Sequence, residues 1–239
     1  MAGSYQDLEK IYEGEKSRIF RGVRESDKRR IIVKATREYP SLRDVAGFRH
    51  EYEITKGLAI DGIVRILGIE DFEKGVALIE EDFDGRSLRE YLLEGRPGLA
   101  HVLVIGIRMA EILGELHHHG IIHKDIKPSN IILNLETSQV KLADFSIAQN
   151  IIREGEKVTP PDAIEGTLMY MSPEQTGRMN RSLDHRSDFY SLGITLYEAL
   201  SGQVPFPGTE PIELVHCHIA KSPVPLTGVS PEIPLTVSN

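Results

Sequence analysis

Cysteine, positive charge and long apolar runs are all scarce in this 239-residue sequence, and each shortage excludes a class of protein. Cys217 is the only cysteine, so no internal disulfide can form, and a reducing cytoplasm is the simplest compartment. The formal net charge of −8 argues against a nucleic-acid surface, which needs a basic patch. No secretory signal begins the chain, and no window approaches the roughly 20 apolar residues of a membrane span. We therefore expect a cytoplasmic protein without a membrane span.

The most specific pattern in the sequence is the octapeptide HKDIKPSN at residues 123–130. It follows apolar residues at three- and four-residue steps, which predict an amphipathic helix, and it precedes an apolar triplet typical of a short strand. The predicted apolar helix positions are Leu99, Val102, Leu103, Gly106, Met109, Ala110, Leu113 and Leu116, and the triplet is Ile131, Ile132 and Leu133. The octapeptide is thus a loop between regular elements, where scaffolds present reactive groups. It brings together Asp125, Lys127 and Asn130.

This loop matches the protein-kinase pattern H-R-D-x-K-P-x-N, apart from Lys124, where that family usually has arginine. Other kinase motifs follow in the expected order over nearly the whole chain. They are IIVK ending at Lys34, ADFS at 143–146 with serine in place of the glycine of D-F-G, and SPE ending at Glu174. The sequence therefore resembles a bacterial, eukaryotic-like Ser/Thr protein kinase domain.

The resemblance implies an α+β, bilobal protein-kinase-like fold. Residues 1–83 would form the N-lobe and hinge, with a small antiparallel sheet and a helix C, and residues 84–239 a larger, mostly helical C-lobe. The sequence pattern predicts strands within 5–34, 63–69, 76–79 and 139–142, and helices at 40–58, 188–200 and 212–220. The expected apolar positions of the first helix are Leu42, Val45, Phe48, Ile54 and Leu58. The family's last helices are missing before Asn239, so we expect a C-terminally truncated C-lobe.

In kinases a glycine-rich loop covers the ATP phosphates with backbone N–H groups. Alignment puts Tyr12, Gly14 and Ser17 at its three glycine positions, so only the middle glycine remains. On local evidence alone an ordinary hairpin turn is the preferred interpretation of this stretch, but the lysine that ends the IIVK run supports a nucleotide site. The resemblance then implies that ATP is bound by Ile11, Gly14, Ile19, Lys34, Glu51, Glu81 and Phe83.

Two glutamates of the predicted helix C compete as the partner of Lys34. Counting back from Ile54 favours Glu51, and Glu53 would then face solvent. Aligning residues 80–85 with the family's hinge places Glu80 at the gatekeeper position, which is normally apolar. Burying a carboxylate is costly unless it is paired or protonated. Either Glu80 weakens or reshapes nucleotide binding, or it turns toward solvent.

The resemblance also implies the chemistry of phosphate transfer. Asp125 would accept the proton of the incoming hydroxyl, and Lys127 would steady the γ-phosphate. Asn130 and Asp144 would hold two Mg²⁺ ions. Glycine permits backbone conformations that serine adopts only at a steric cost, so Ser146 is expected to restrict movement of the preceding Asp-Phe pair.

Substrate-docking and structural roles are expected of Thr167, Glu174 and Asp188. Asp188 either anchors the catalytic loop or caps a helix. His123 is expected to support the Asp-Phe pair by packing. Thr159 is the obvious phosphorylatable residue of the segment between 146 and 166, but Lys124 lacks the bidentate fork of arginine, which argues against a requirement for phosphorylation. The run HHH at 117–119 is not expected to bind metal, because consecutive helical residues point in different directions.

The resulting prediction is an ATP- and Mg²⁺-dependent protein Ser/Thr kinase of bacterial signal transduction, whose partner is a protein with a Ser/Thr acceptor. One alternative is a nucleotide-binding pseudokinase that acts as a regulatory module, suggested by the depleted glycine loop, Glu80 and Ser146. A small-molecule phosphotransferase would lack the docking segment. Segments 165–167, 174–181 and 216–221 resemble the N-terminal kinase module of large multi-sensor proteins, so downstream ATPase, GAF and histidine kinase regions are further expected partners.

Overall fold

The computed structural model describes residues 5–154, 166–179 and 181–238, and the chain divides into two compact units. The first unit comprises residues 1–85 together with Asp144–Ser146. The second comprises Arg86–Ala143 and Ile147–Asn239.

The first unit is an antiparallel five-stranded sheet with one helix, in the strand order β1-β2-β3-β5-β4. Its elements are β1 (Tyr5–Glu13), β2 (Ser17–Arg24), β3 (Arg30–Thr36), α1 (Leu42–Thr55), β4 (Ile66–Phe72) and β5 (Gly75–Glu81). The three strands expected from residues 5–34 are confirmed. The next two strands differ from their predicted bounds: β4 lies three residues further along the chain, and β5 begins one residue earlier and ends two residues later. Only Glu73 and Lys74 separate them, so their hairpin turn is tighter than predicted.

Helix α1 begins after Ser41, whose hydroxyl accepts a hydrogen bond from the Asp44 amide at 3.2 Å. The Asp44 carboxylate accepts in return from the Ser41 amide at 2.8 Å, so two otherwise unsatisfied N–H groups are paired. Leu42, predicted to be an apolar helix position, is 91% exposed. That prediction was wrong because Leu42 is the first helical residue and precedes the face that packs on the sheet.

The sheet buries apolar side chains on both faces, as the alternation of strand residues requires. Phe48 of α1 packs with Val76 and Leu78 on one face. The opposite face buries Ile31, Val33, Ala35, Ala77 and Ile79. Lys34 and Glu80 share the helix-facing side with Leu78, since Lys34 pairs directly with Leu78 and Glu80 lies two residues further along β5.

The second unit is mostly helical. Its helices are α2 (Leu88–Glu94), α3 (Leu99–His118), α4 (Ile151–Glu154), α5 (Arg186–Ser201), α6 (Pro211–Ala220), α7 (Leu226–Val229) and α8 (Leu235–Ser238). Short strands β6 (Arg86–Ser87), β8 (Ile131–Asn134) and β9 (Gln139–Leu142) form one sheet, and β7 (Ile121–Ile122) pairs with β10 (Gln149–Asn150). The 3-10 turns among its described residues are η1 (Pro128–Asn130), η2 (Leu168–Tyr170) and η3 (Pro173–Thr176).

Helix α3 is the central element of the second unit and leads directly to the 123–130 loop. It buries Val102, Ile105, Met109, Ile112, Leu113 and Leu116. Leu103 and Ala110, predicted as apolar-face positions, are exposed, because Ile105 and Ile112 occupy the buried face instead. A small antiparallel sheet with one helix and a larger, mostly helical unit confirm the predicted α+β class. Over the described residues, no helix is long and apolar enough to cross a membrane.

Candidate active site

A buried ion cluster lies in the first unit, where Lys34 of β3 meets Glu51 of α1. The Lys34 Nζ atom is 2.8 Å and 3.0 Å from the two Glu51 carboxylate oxygens and 3.1 Å from Asp144 Oδ1. Glu51 is 1% exposed, whereas Glu53 is exposed and pairs with Lys56. The expected pairing of Lys34 with Glu51 rather than Glu53 is therefore present.

The Asp144–Ser146 segment is attached to the same cluster. The Phe145 amide donates to Glu51 Oε1 at 3.2 Å, and Phe145 is 1% exposed. Asp144 has a φ of +68°, a left-handed conformation that costs a non-glycine residue about 1–2 kcal/mol. Ser146 is not among the positive-φ residues. The positive φ therefore belongs to Asp144 and not to Ser146, and the expected restriction of the Asp-Phe pair by Ser146 stays a prediction.

Three carboxylates determine the charge state of Lys34. Burial alone would lower the pKa of this ammonium group, but Asp144, Glu51 and Glu80 together raise it well above its usual range. The ammonium group is therefore the positive centre of a site that carries more negative than positive charge.

Glu80 is the member of this cluster that the family pattern did not lead us to expect. It is 8% exposed, so the interpretation in which it turns toward solvent is wrong. Burial raises the pKa of Glu80 to about 8, and the nearby Lys34 ammonium opposes this shift without cancelling it. A carboxyl group with such a pKa is largely protonated at neutral pH.

The other nucleotide-site candidates lie along the strands of the first unit. Ile11 is 46% exposed on β1, while Ile19 is half-buried on β2 and pairs with Lys34. Gly14 lies in the β1–β2 turn, where its amide donates to the Ser17 carbonyl at 2.9 Å. The Tyr12 hydroxyl lies 2.7 Å from where a Cβ of residue 14 would be, so the Tyr12 ring packs over this turn.

The end of β5 and the segment after it are held by charged groups, of which only Glu81 was predicted as a site residue. Glu81 Oε1 accepts from the Arg65 amide at 3.0 Å. The Asp82 side chain is 1% exposed and lies 3.0 Å from Arg21 and 3.1 Å from Arg30. Phe83, the other predicted hinge contact, is half-buried.

A second cluster surrounds Asp125 in the second unit. Asp125 Oδ1 accepts from the amide and the hydroxyl of Thr167 at 3.1 Å and 3.0 Å. Its Oδ2 accepts from Lys127 Nζ at 2.5 Å and Asn130 Nδ2 at 3.2 Å. Lys127 also donates to the Thr167 hydroxyl at 2.8 Å. The structure therefore brings together the three predicted residues of the loop and adds Thr167, for which a docking or structural role was predicted.

Asp188 anchors the start of this loop. Its fully buried carboxylate accepts from the amides of His123 and Lys124, each at 2.9 Å. His117 Nε2 lies 2.8 Å from the same carboxylate, a contact that the sequence gave no reason to expect. Because Asp188 lies inside α5, which begins at Arg186, it is an anchor rather than the helix cap.

His123 and Glu174 have neighbours that fit structural roles. His123 Nε2 lies 3.1 Å from the Ala143 carbonyl, and the Asp125 amide donates to His123 Nδ1 at 3.2 Å. The His123 ring therefore connects the loop with the residue that precedes Asp144. The Glu174 carboxylate accepts from the Ser187 hydroxyl. Thr159, the predicted phosphorylatable residue, lies outside the described residues.

The known proteins to which the chain is similar are protein kinases. The family model described as "Protein kinase domain" matches residues 5–232. Serine/threonine-protein kinase PknB of Mycobacterium tuberculosis is 36% identical over 183 residues, covering 74% of this chain and 29% of that protein. A probable serine/threonine-protein kinase of Streptomyces coelicolor is 36% identical over 214 residues, covering 86% of this chain and 31% of that protein. The chain thus spans about a third of the length of these relatives.

Proposed function

Because the chain belongs to the protein kinase family, we propose that it transfers the γ-phosphate of ATP to serine or threonine hydroxyls of proteins in bacterial signalling. The observation that carries this proposal is the set of hydrogen bonds around Asp125, whose carboxylate is oriented by Thr167, Lys127 and Asn130. A carboxylate fixed from both oxygens is suited to receive a proton from one defined direction.

In the proposed reaction, the acceptor hydroxyl loses its proton to Asp125 as its oxygen bonds to the γ-phosphorus. The bond between that phosphorus and the β–γ bridging oxygen breaks, and ADP leaves. Lys127 would steady the transferred phosphoryl group. Catalysis of this kind consists of positioning and electrostatic stabilisation, without a covalent enzyme intermediate.

Lys34 would contact the α- and β-phosphates, and Glu51 holds its ammonium group in place for this role. Ile11, Gly14, Ile19, Glu81 and Phe83 are proposed to line the nucleotide. The proposed docking and structural residues are Thr167, Glu174 and Asp188.

Mg²⁺ is the proposed metal, and it would neutralise charge on the ATP phosphates. Asn130 and Asp144 are the proposed ligands, since an amide oxygen and a carboxylate are the donor types that this hard cation prefers. Among the described residues, no group of three or more His, Cys, Asp or Glu side chains forms a metal-binding cluster. This fits a metal held by few protein ligands together with phosphate oxygens.

We further propose a cytoplasmic location, supported by the single, buried and unpaired Cys217. The likeness of three sequence segments to multi-sensor proteins supports a partnership with downstream ATPase, GAF and histidine kinase regions in a longer protein. Detecting such regions in the gene that encodes this chain would test the second proposal.

Asp125→Asn tests the proposed reaction. With radiolabelled ATP and a generic protein substrate, we expect phosphate transfer to fall by about 100- to 10,000-fold, the usual contribution of a general base. ATP affinity should stay close to that of the unaltered chain, because the change is isosteric and leaves Lys34 in place. Asp61→Asn, at an exposed position, is the matched control and should keep full activity. Undiminished turnover by Asp125→Asn would remove Asp125 from its role.

A further inference from the structure

Lys124, which precedes the proposed general base, has an unusual backbone conformation. Its φ is +72°, in the left-handed region that disfavours any residue with a Cβ atom. A strained conformation of this kind persists only where contacts with surrounding groups hold the backbone in place. Because the peptide between Lys124 and Asp125 is part of this conformation, a relaxation of Lys124 would reorient the Asp125 side chain.

Two side chains hold the backbone of Lys124, one on each side. Its amide donates to Asp188 Oδ1 at 2.9 Å, which is the anchoring contact already described. Its carbonyl oxygen accepts a hydrogen bond from Gln175 Nε2 at 2.8 Å. That oxygen belongs to the Lys124–Asp125 peptide itself, so Gln175 acts directly on the bond that leads to Asp125.

Gln175 is itself fixed at its other end. It is 2% exposed in η3, and its Oε1 atom accepts from the amide and the hydroxyl of Ser172 at 3.1 Å and 3.0 Å. The amide group therefore faces two donors with its oxygen and one acceptor with its nitrogen. A flipped amide would place oxygen against oxygen and nitrogen against nitrogen, so the orientation is determined by the partners.

We propose that Gln175 is a positioning residue for phosphate transfer, which holds the Lys124–Asp125 peptide in its left-handed conformation and so keeps the Asp125 carboxylate oriented. This inference rests on the proposed kinase function and makes the 172–176 segment a support of the catalytic loop. Only a side-chain amide of this length supplies the donor for Lys124 and the acceptor for Ser172. Glutamate at 175 would lack the donor, and leucine would lack both groups.

Gln175→Leu and Gln175→Glu test the proposal in the full chain, with the exposed Gln203→Leu as the matched control. We expect both Gln175 variants to lower kcat about tenfold, because each loses the buried hydrogen bond to the Lys124 carbonyl. The KM for ATP should change less than about twofold, since the nucleotide contacts are untouched. A kcat equal to that of the control would overturn the proposal.

Glycine at position 124 separates positioning from general stability. Glycine adopts a positive φ without steric cost, so the Lys124→Gly background should need Gln175 less. We expect Gln175→Leu to lower kcat clearly less in that background than beside Lys124, which a double-mutant cycle measures. An equal loss in both backgrounds would show that Gln175 acts only as a packing residue and would overturn the proposal.

Amide hydrogen exchange supplies a readout that does not depend on activity. Both Gln175 variants should exchange faster than the unaltered chain at residues 121–127, with no comparable change in the β3–β5 strands. Unchanged exchange at 121–127 would contradict the proposal. If the unaltered chain transfers no phosphate, the kinase function fails, while this measurement still decides whether Gln175 holds the loop. If Gln175→Leu fails to fold, the near-isosteric Gln175→Glu carries the test.

Discussion

The two units hold their buried carboxylates in different ways. In the first unit, charge is balanced by charge, because the single Lys34 ammonium group serves Glu51 and Asp144 and lies near Glu80. In the second unit, Asp125 and Asp188 are held largely by uncharged donors, such as backbone amides and a hydroxyl. Removing one group from the first cluster leaves unbalanced buried charge, whereas the second cluster keeps its remaining donors. The contribution of the first cluster to the free energy of unfolding should therefore depend strongly on charge and pH. The contribution of the second cluster should depend on hydrogen-bond geometry instead.

Lys34→Met should have the largest effect on stability. It leaves the buried Glu51 and Glu80 and the partly exposed Asp144 without their common cation, and breaking a buried ion pair from one side typically costs about 3–5 kcal/mol. Without Lys34, the positive charge that lowers the pKa of Glu80 is also lost. The loss in the free energy of unfolding should therefore be smaller at pH 6, where the acids can take up protons, than at pH 9. Urea unfolding at both pH values measures it.

Lys56→Met is the matched control for this prediction. Lys56 and Glu53 form an ion pair whose side chains are about half exposed, and such pairs contribute at most about 1 kcal/mol. A similar loss for the two lysine variants would contradict the view that the first cluster is held by buried charge.

The sequence predicts best those contacts that a short motif places in a known relation. Lys34, Asp125 and Asp144 each lie in a run of defined residue types, so their neighbourhoods could be predicted together with the α+β fold. Periodicity also predicted α3, but not which apolar residues face outward, because Leu103 lies just beyond the edge of its buried stripe. The ends of elements were the weakest predictions, because periodicity does not show where a buried face begins. Leu42, the first residue of α1, is exposed for this reason.

The contacts that escaped prediction join residues far apart in the sequence. Gln175 reaches a carbonyl 51 residues away, and His117 reaches a carboxylate 71 residues away. Asp82 likewise contacts Arg21, which lies on β2. None of these pairs leaves a periodic or local signal, because each depends on how the chain folds back on itself. The unusual backbone conformation of Lys124 is equally invisible, since the sequence shows no glycine there.

Glu80→Gln sharpens the contrast through pH. The folded-state pKa of Glu80 is raised from 4.5 to about 8, so between these values the folded protein binds more protons than the unfolded chain. Stability then falls as the pH rises through this window, by at most about 1.4 kcal/mol per pH unit. Glutamine does not titrate. The variant should therefore gain about 2 kcal/mol relative to the unaltered chain between pH 6 and pH 8.

The exposed Glu53→Gln provides the comparison, since its stability relative to the unaltered chain should not vary with pH in this way. If the free energy of unfolding of Glu80→Gln ran parallel to that of the unaltered chain from pH 6 to pH 8, Glu80 would already be charged.

Glu80→Leu tests whether the buried carboxyl group also weakens nucleotide binding. ATP affinity should rise in this variant, and an unchanged affinity would end that interpretation.

Thr167→Val examines the second cluster and should have the smallest effect. Valine keeps the shape of threonine but removes a hydroxyl that donates to Asp125 at 3.0 Å and accepts from Lys127 at 2.8 Å. The Thr167 amide still donates to Asp125, so the carboxylate keeps one contact from this residue. We expect a loss of about 1 kcal/mol in the free energy of unfolding, equal at pH 6 and pH 9 because the lost hydroxyl does not titrate in this range. Urea unfolding at both pH values measures this loss. If the loss instead varied with pH as strongly as that of Lys34→Met, the second cluster would also be held by charge, and the distinction between the two units would be wrong.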